Sequence, residues 1–198
     1  MSLVLLLAKL QQENITISEL EELIKTDLAL SVKLLRYVNS AFVGLPKSVG
    51  TISQAICMVG TDRMRQWASV MVLANFDAKP LELMRVALIR AKMCEEVCQA
   101  QSIPSGPGFT VGLFSVLDAF FDCEMSQLME TLPLSEPIQL ALLERKGELG
   151  TVLENVMAYE QHRWDELTDR ETTRSLLRNF YWQSIGWTDQ VLKSFRKE

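Results

Sequence analysis

The sequence is poor in the residues that build metal and redox centres. It holds one histidine, His162, in 198 residues. Its four cysteines, Cys57, Cys94, Cys98 and Cys123, form no Cys-x-x-Cys pair, and His162 lies far from all of them in sequence. That spacing gives neither a zinc signature nor a disulfide frame. A chain of this length buries roughly 70% of its unfolded surface and needs neither staple to fold. Cys94 and Cys98 are four apart, share one face of a helix and read as small buried hydrophobes. Reduced thiols suit a cytoplasmic setting.

Long apolar runs are missing too. Leu3–Leu10 is apolar but gives way to Gln11, Gln12 and Glu13, well short of the about 20 residues of a membrane span. No basic leader with a small-residue cleavage site precedes it. Positive charge is not in excess: 20 Lys and Arg face 25 Asp and Glu, a net charge of −5, with the two signs interspersed. The global basic footprint of a nucleic-acid binder is therefore absent. Gly106-Pro107-Gly108 lacks the spacing and the lysine of a phosphate loop, and Ser105 and Ser115 stand in no nucleophile-elbow pattern. There is no alternating strand pattern, no repeat at a fixed period and no low-complexity tract.

What the sequence does contain is helical period. Thr16 and Glu19 form a capping box ahead of the apolar face Ile17, Leu20, Leu23 and Ile24. Asp27 is placed to cap a second helix running to about Val38, with an apolar stripe broad enough for burial on more than one side. Gly44, Pro46 and Gly50 mark a loop from Ala41 to Gly50. A short helix from Thr51 or Ser53 ends at Gly60, and Thr61 opens another to about Asn75. Pro80 fits the first turn of a long helix to about Gln101, and Ile103 to Gly108 is the clearest break. Further helices are expected at 109–121, 124–131, 135–146, 148–166, 170–183 and 188–196. The break is read as a loop within one bundle, because the apolar helices on both sides need partners.

The stretch Asp27-Leu28-Ala29-Leu30-Ser31-Val32-Lys33-Leu34-Leu35-Arg36-Tyr37-Val38-Asn39-Ser40-Ala41-Phe42 resembles the signature helix of HDOD domains, a branch of the HD phosphohydrolase superfamily. The resemblance continues through Ile52-Ser53-Gln54-Ala55-Ile56, Gly60, Arg65-Gln66-Trp67 and Arg90-Ala91-Lys92-Met93-Cys94-Glu95. Gly112-Leu113-Phe114-Ser115-Val116-Leu117-Asp118 resembles the helix that carries the His-Asp pair in true HD enzymes. Most of residues 15–160 is covered, and the segments are specific as an ordered set. Leu28 departs from the pattern, which has proline there; helix initiation tolerates the change. The Trp67 segment and the stretch from Leu132-Pro133-Leu134-Ser135 to Leu149-Gly150 are most similar to HDOD domains that follow an EAL domain in bacterial cyclic-di-GMP signalling proteins.

The resemblance implies an all-α fold, a single compact multi-helix bundle of the HD/HDOD type. It implies residues 15–198 as the HDOD domain with a C-terminal helical extension, and 1–14 as an N-terminal helix and remnant of an upstream EAL-like region. At the HD position this sequence has Ser115-Val116 and, three residues on from Ser115, Asp118. A hydroxyl and a valine cannot hold the metal that would activate a water. His162 lies beyond the motif helices and reads as a surface or capping residue. The expectation is no catalytic residue, no metal and no cofactor. The function implied is a signalling module acting through a protein partner or a neighbouring EAL-like domain, with self-association left open. The alternative is a nucleotide-binding domain that keeps the old pocket without its metal, or a weak hydrolase, with Ser115, Asp118 and basic helix residues lining the pocket and a cyclic dinucleotide or guanosine tetraphosphate as candidate ligands.

Other groups have ordinary readings beside their functional ones. Asp118 and Asp122 could share a metal, or sit at a solvated helix edge. Of the HDOD motif residues Asp27, Leu34, Leu35, Asn39 and Ser40, Asn39 is expected to end its helix in the left-handed conformation. Lys33, Arg36, Arg170, Arg174 and Arg178 are candidate contacts to a ligand or partner. The last three form a basic stripe diluted by Glu166, Asp169 and Glu171, with Tyr181, Trp182 and Trp187 following. Those aromatics pack on the bundle or, if exposed, mark a protein interface.

Overall fold

The computed structural model of the chain describes residues 3–12, 14–74, 79–167 and 170–195, without the side chains of 170–173 and 195. The elements among them are all helical, and none of the helices is long and apolar enough to cross a membrane. They fall into two compact units, one of residues 1–78, 130–134 and 190–198, the other of 79–129 and 135–189. The Pro104–Gly108 stretch lies inside the second unit and divides nothing.

The first unit holds α1 (Leu3–Leu10), α2 (Ile17–Lys25), α3 (Leu28–Val38), α4 (Ile52–Val59) and α5 (Thr61–Ala74). Its helix starts are written locally. Thr16 accepts from the Glu19 amide at 3.2 Å while Glu19 accepts from the Thr16 amide at 2.8 Å. These bonds hold the Glu19 carboxyl below its usual range. Asp27 Oδ1 accepts from the Leu30 amide at 3.0 Å, and Thr51 Oγ1 from the Gln54 amide at 3.2 Å. Gly60 ends α4 with φ of +90°, a conformation only glycine takes without strain. Inside, Leu7, Leu10, Leu20, Ile24, Leu30, Leu34, Ile56 and Met64 are fully buried. The expected end of α5 at Asn75 lies outside the described residues.

The second unit holds α6 (Leu81–Ala100), α7 (Ser105–Phe114), α8 (Leu117–Phe121), most of α9 (Met125–Thr131), α10 (Glu136–Glu144), α11 (Gly147–Glu160), a 3₁₀ turn (Trp164–Glu166) and all but the end of α12 (Arg170–Phe195). Its seam is α6 against α7. A Cβ at Gly112 would lie 2.5 Å from the Arg90 carbonyl oxygen and 2.6 Å from Ala91 Cα, and one at Gly108 2.5 Å from Cys98 Sγ. The two glycines, four apart, let the helix backbones touch.

Several expected boundaries are corrected. The helix expected at 109–121 is two helices, broken at Ser115-Val116. It also begins earlier, at Ser105, because Gly106, Pro107 and Gly108 occupy a first turn, where a missing amide hydrogen costs little. The break follows from Ser115, whose hydroxyl donates to the Gly112 carbonyl at 2.7 Å and competes with the helix ladder. The expected helices 170–183 and 188–196 are one helix to Phe195, since Gly186 weakens a helix without ending it. The helix expected at 148–166 stops at Glu160, where His162 takes a left-handed φ of +60°.

Candidate functional site

The place that the resemblance assigns to the His-Asp pair is filled by an internal ion pair. Ser115, at the C-terminal end of α7, is buried. Its hydroxyl accepts from Arg90 Nη1 of α6 at 2.9 Å while donating to Gly112. The other edge of the guanidinium meets Glu160 at the end of α11: Nη2 donates to Oε2 at 2.7 Å and Nε to the same oxygen at 3.1 Å. Arg90 is only 7% exposed. A buried charge is tolerable when paired and hydrogen-bonded, and here the fork, the carboxylate and the hydroxyl satisfy one another.

This donor set does not fit a divalent cation. A fixed guanidinium already contacts the Ser115 oxygen, and the one carboxylate is engaged by that guanidinium. Nor do three His, Cys, Asp or Glu side chains come together as a metal-binding group anywhere among the described residues. Val116 points into the core. Asp118 is exposed and turns back to the Ala119 amide at 2.8 Å, while Asp122 takes the left-handed position ending α8 and pairs with Lys79. The two aspartates therefore serve separate local contacts. His162 is an exposed residue at the end of α11 whose ring meets Trp164, with centroids 5.3 Å apart.

The sequence placed Arg90 in a family segment without giving it a role, and Glu160 was not singled out, though a signal exists. Arg90 lies three after Ala87 and four before Cys94, on the stripe that α6 buries. Glu160 follows Val156 of α11 by four. A charge on an apolar stripe needs a buried partner, and pairing the two would have required knowing that α6 and α11 meet.

The HDOD motif residues serve the first unit. Leu34 is fully buried and Leu35 half-buried. Asn39 departs from expectation. Its φ of −82° is right-handed, and its side chain works instead as a clamp. Nδ2 donates to the Val49 carbonyl at 2.8 Å and Oδ1 accepts from the Val49 amide at 2.7 Å, which ties down the loop after α3. Ser40 caps the Tyr37 carbonyl at 2.6 Å, and the Tyr37 ring meets Trp67 edge-on at 4.9 Å.

Of the candidate contact residues, Lys33 is half-buried and Arg36 exposed on α3 of the first unit. Arg174 and Arg178 are exposed on α12 in the second, and the side chain of Arg170 lies outside the described residues. Glu166, expected near Arg170, pairs with Arg163. Trp187 packs on Phe109 and Tyr181 on Tyr159, whereas Trp182 is 67% exposed. A cavity of about 420 Å³ opens elsewhere in this unit, at the starts of α7, α10 and α11, with mostly apolar walls including Ile103, Pro107, Pro137, Leu140 and Leu149.

The HDOD domain family model matches residues 2–127. The chain is 36% identical over 156 residues to Cyclic di-GMP phosphodiesterase CdgJ of Vibrio cholerae serotype O1, covering 77% of this chain and 36% of CdgJ. It is 26% identical over 194 residues to YuxH of Bacillus subtilis (strain 168), covering 94% of this chain and 47% of YuxH. It thus spans less than half the length of these curated relatives. Among solved structures, a protein named as a phosphohydrolase from Shewanella amazonensis SB2B superposes with a TM-score of 0.63 at 16% identity, over 98% of this chain and 88% of the other. One named as a signal transduction protein from Marinobacter aquaeolei VT8 superposes at 0.65 and 13%, over 98% and 59%. The all-helical fold is shared with these structures, and the family match, over more than half the chain, is decisive: this chain belongs to the HDOD domain family.

Proposed function

We propose that this domain is a non-catalytic signal-transduction module that works by protein contact, as the regulatory or output part of a cyclic-di-GMP signalling protein. The observation that carries the reading is the buried Arg90–Glu160 pair on Ser115. A fold with a guanidinium at the HD position has a reason to be kept other than metal chemistry. The signalling context is taken from CdgJ, a cyclic di-GMP phosphodiesterase of which this chain covers 36%. On this reading, the hydrolytic activity of such a protein belongs to a part that the present chain does not span, of EAL type. A retained nucleotide pocket at Ser115 has less support, because the polar groups there are spent on one another.

The test is metal analysis of the purified domain, joined to a phosphodiesterase assay with cyclic di-GMP and calorimetry with the same nucleotide. The expected result is no stoichiometric metal, no turnover and no binding heat. Near one metal per chain, with turnover that Ser115→Ala abolishes, would make the domain an enzyme. Binding heat alone, lost in Arg90→Ala, would favour the nucleotide-binding alternative.

A further inference from the structure

We propose that the second unit carries a docking surface for an acidic protein segment, built from Trp164, Arg174, Arg178 and Trp182. The proposal deepens the protein-contact reading and rests on it. Arg174, Arg178 and Trp182 follow one another at intervals of four along α12. On a helix that spacing sets them along one side at about 6 Å per step. All three are exposed.

An aromatic row braces this side. The Arg174 guanidinium lies over the Trp164 ring, 4.5 Å from its centroid. Trp164 is held edge-on by Tyr159 at 5.2 Å; Tyr159 meets Tyr181 at 5.6 Å, and Tyr181 meets Trp182 at 6.4 Å. Stacking on a ring orients a guanidinium while leaving the N–H donors around its edge unused. Nearby Arg163 is consumed by Glu154 and Glu166. Among the described residues, neither Arg174 nor Arg178 pairs with a carboxylate. In a chain with 25 acids and 20 bases, a ring-stacked Arg174 and an exposed Arg178, neither paired with a carboxylate among the described residues, beside an exposed tryptophan are not explained by charge balance.

The composition fixes the partner's chemistry. Tryptophan, tyrosine and arginine are the residues that dominate protein-interface energetics, and a guanidinium with a free edge takes a carboxylate by two parallel hydrogen bonds. The matching segment presents two carboxylates about one helical turn apart, then an apolar side chain to cover Trp182. A small molecule would need a concave site, and the cavity at the starts of α7, α10 and α11 is lined by other residues. Nucleic acid would need more cations than two.

Site-directed photocrosslinking in the complete native protein, in its own cells, tests this. A benzophenone amino acid replaces Ser175, exposed on α12 next to the stripe, and in a second strain Leu28, exposed on α3 of the other unit. The expected result at Ser175 is a crosslink to one protein segment rich in Asp and Glu. Arg174→Glu with Arg178→Glu reduces its yield at least tenfold, and replacing the partner's acids by lysine restores it. A circular-dichroism melt of the double variant checks that it folds. The proposal is overturned by a crosslink that ignores the charge reversal, by crosslinks to nucleic acid, or by crosslinks at Leu28 alone. If neither position crosslinks to protein, the protein-contact reading falls with it.

Discussion

At the scale of single residues, the buried Arg90–Glu160 pair sets the terms. Removing one partner of such a pair costs about 3–5 kcal/mol because it strands the other charge. Arg90→Ala is therefore expected to lower the urea midpoint sharply, and Arg90→Met with Glu160→Leu to recover most of the loss. A double variant as unstable as Arg90→Ala would show that the pair's energy lies elsewhere. Cys94 and Cys98 give a pH signature. Burial, aided by Glu148 and Glu95, pushes the Cys98 thiol up to about 11, and burial pushes Cys94 well above its ordinary range. Between about pH 8.5, where an unfolded thiol ionises, and about 11, the unfolded chain sheds protons that the folded chain keeps. Stability is thus fully present below pH 8.5 and falls as pH rises through this window. Equilibrium unfolding at pH 7.5 and 10.5 should show the decline, and Cys98→Ala should lessen it, with Cys94 supplying the remainder. At this scale the sequence told part of the story. The spacing of Cys94 and Cys98 implied shared burial, and Ser115 stood out by resemblance. The role of Arg90, quoted only as part of a family segment, was not legible, since only the meeting of α6 with α11 gives it one.

At the scale of elements, the helix starts that carry a side-chain cap were legible because their chemistry is local, whereas the uncapped start of α7 was not. Thr16, Asp27 and Thr51 each accept the amide three residues on, as their side chains can in any sequence context. Helix ends and breaks were less legible, since they depend on competition. The Ser115 hydroxyl breaks one helix, whereas Gly186 fails to break another. Asn39 ends α3 by binding a residue ten positions on, which no window of helical period contains. Asn39→Ala leaves the Val49 amide and carbonyl without these partners and should cost about 1–3 kcal/mol. Limited proteolysis should then cut between Ala41 and Gly50 faster than in the parent; an unchanged rate would mean the clamp does not restrain the loop. At the α6–α7 seam, Gly112→Ala sets a Cβ against backbone atoms that cannot turn aside. Overpacking of this kind costs about 1–3 kcal/mol, and a thermal melt should show it where Gly186→Ala, with nothing within reach of its Cβ, shows none.

At the scale of the molecule, charge decides what can approach. With a net charge of −5 the chain has no global excess of positive charge to attract duplex DNA. Gel-shift experiments at physiological ionic strength should show no complex, and a retained band that weakens steeply with salt would reveal a basic patch. The fold class was readable from helical period and the family from an ordered set of segments. The division into two units was not, because their boundaries at 78, 129, 134 and 189 follow contacts between parts distant in sequence.

The Arg90–Glu160 pair also has a historical consequence. Placing histidine at 115 and aspartate at 116 sets an imidazole against a guanidinium, so the graft alone yields no metal site. Removing the arginine first strands a carboxylate, at about 3–5 kcal/mol, a large share of the about 5–15 kcal/mol margin of many domains. Single substitutions of Arg90 or Glu160 on the way to a metal centre thus pass through destabilised intermediates. The pair acts as a lock: substitutions elsewhere leave it in place, and only a paired change of both residues releases it at low cost.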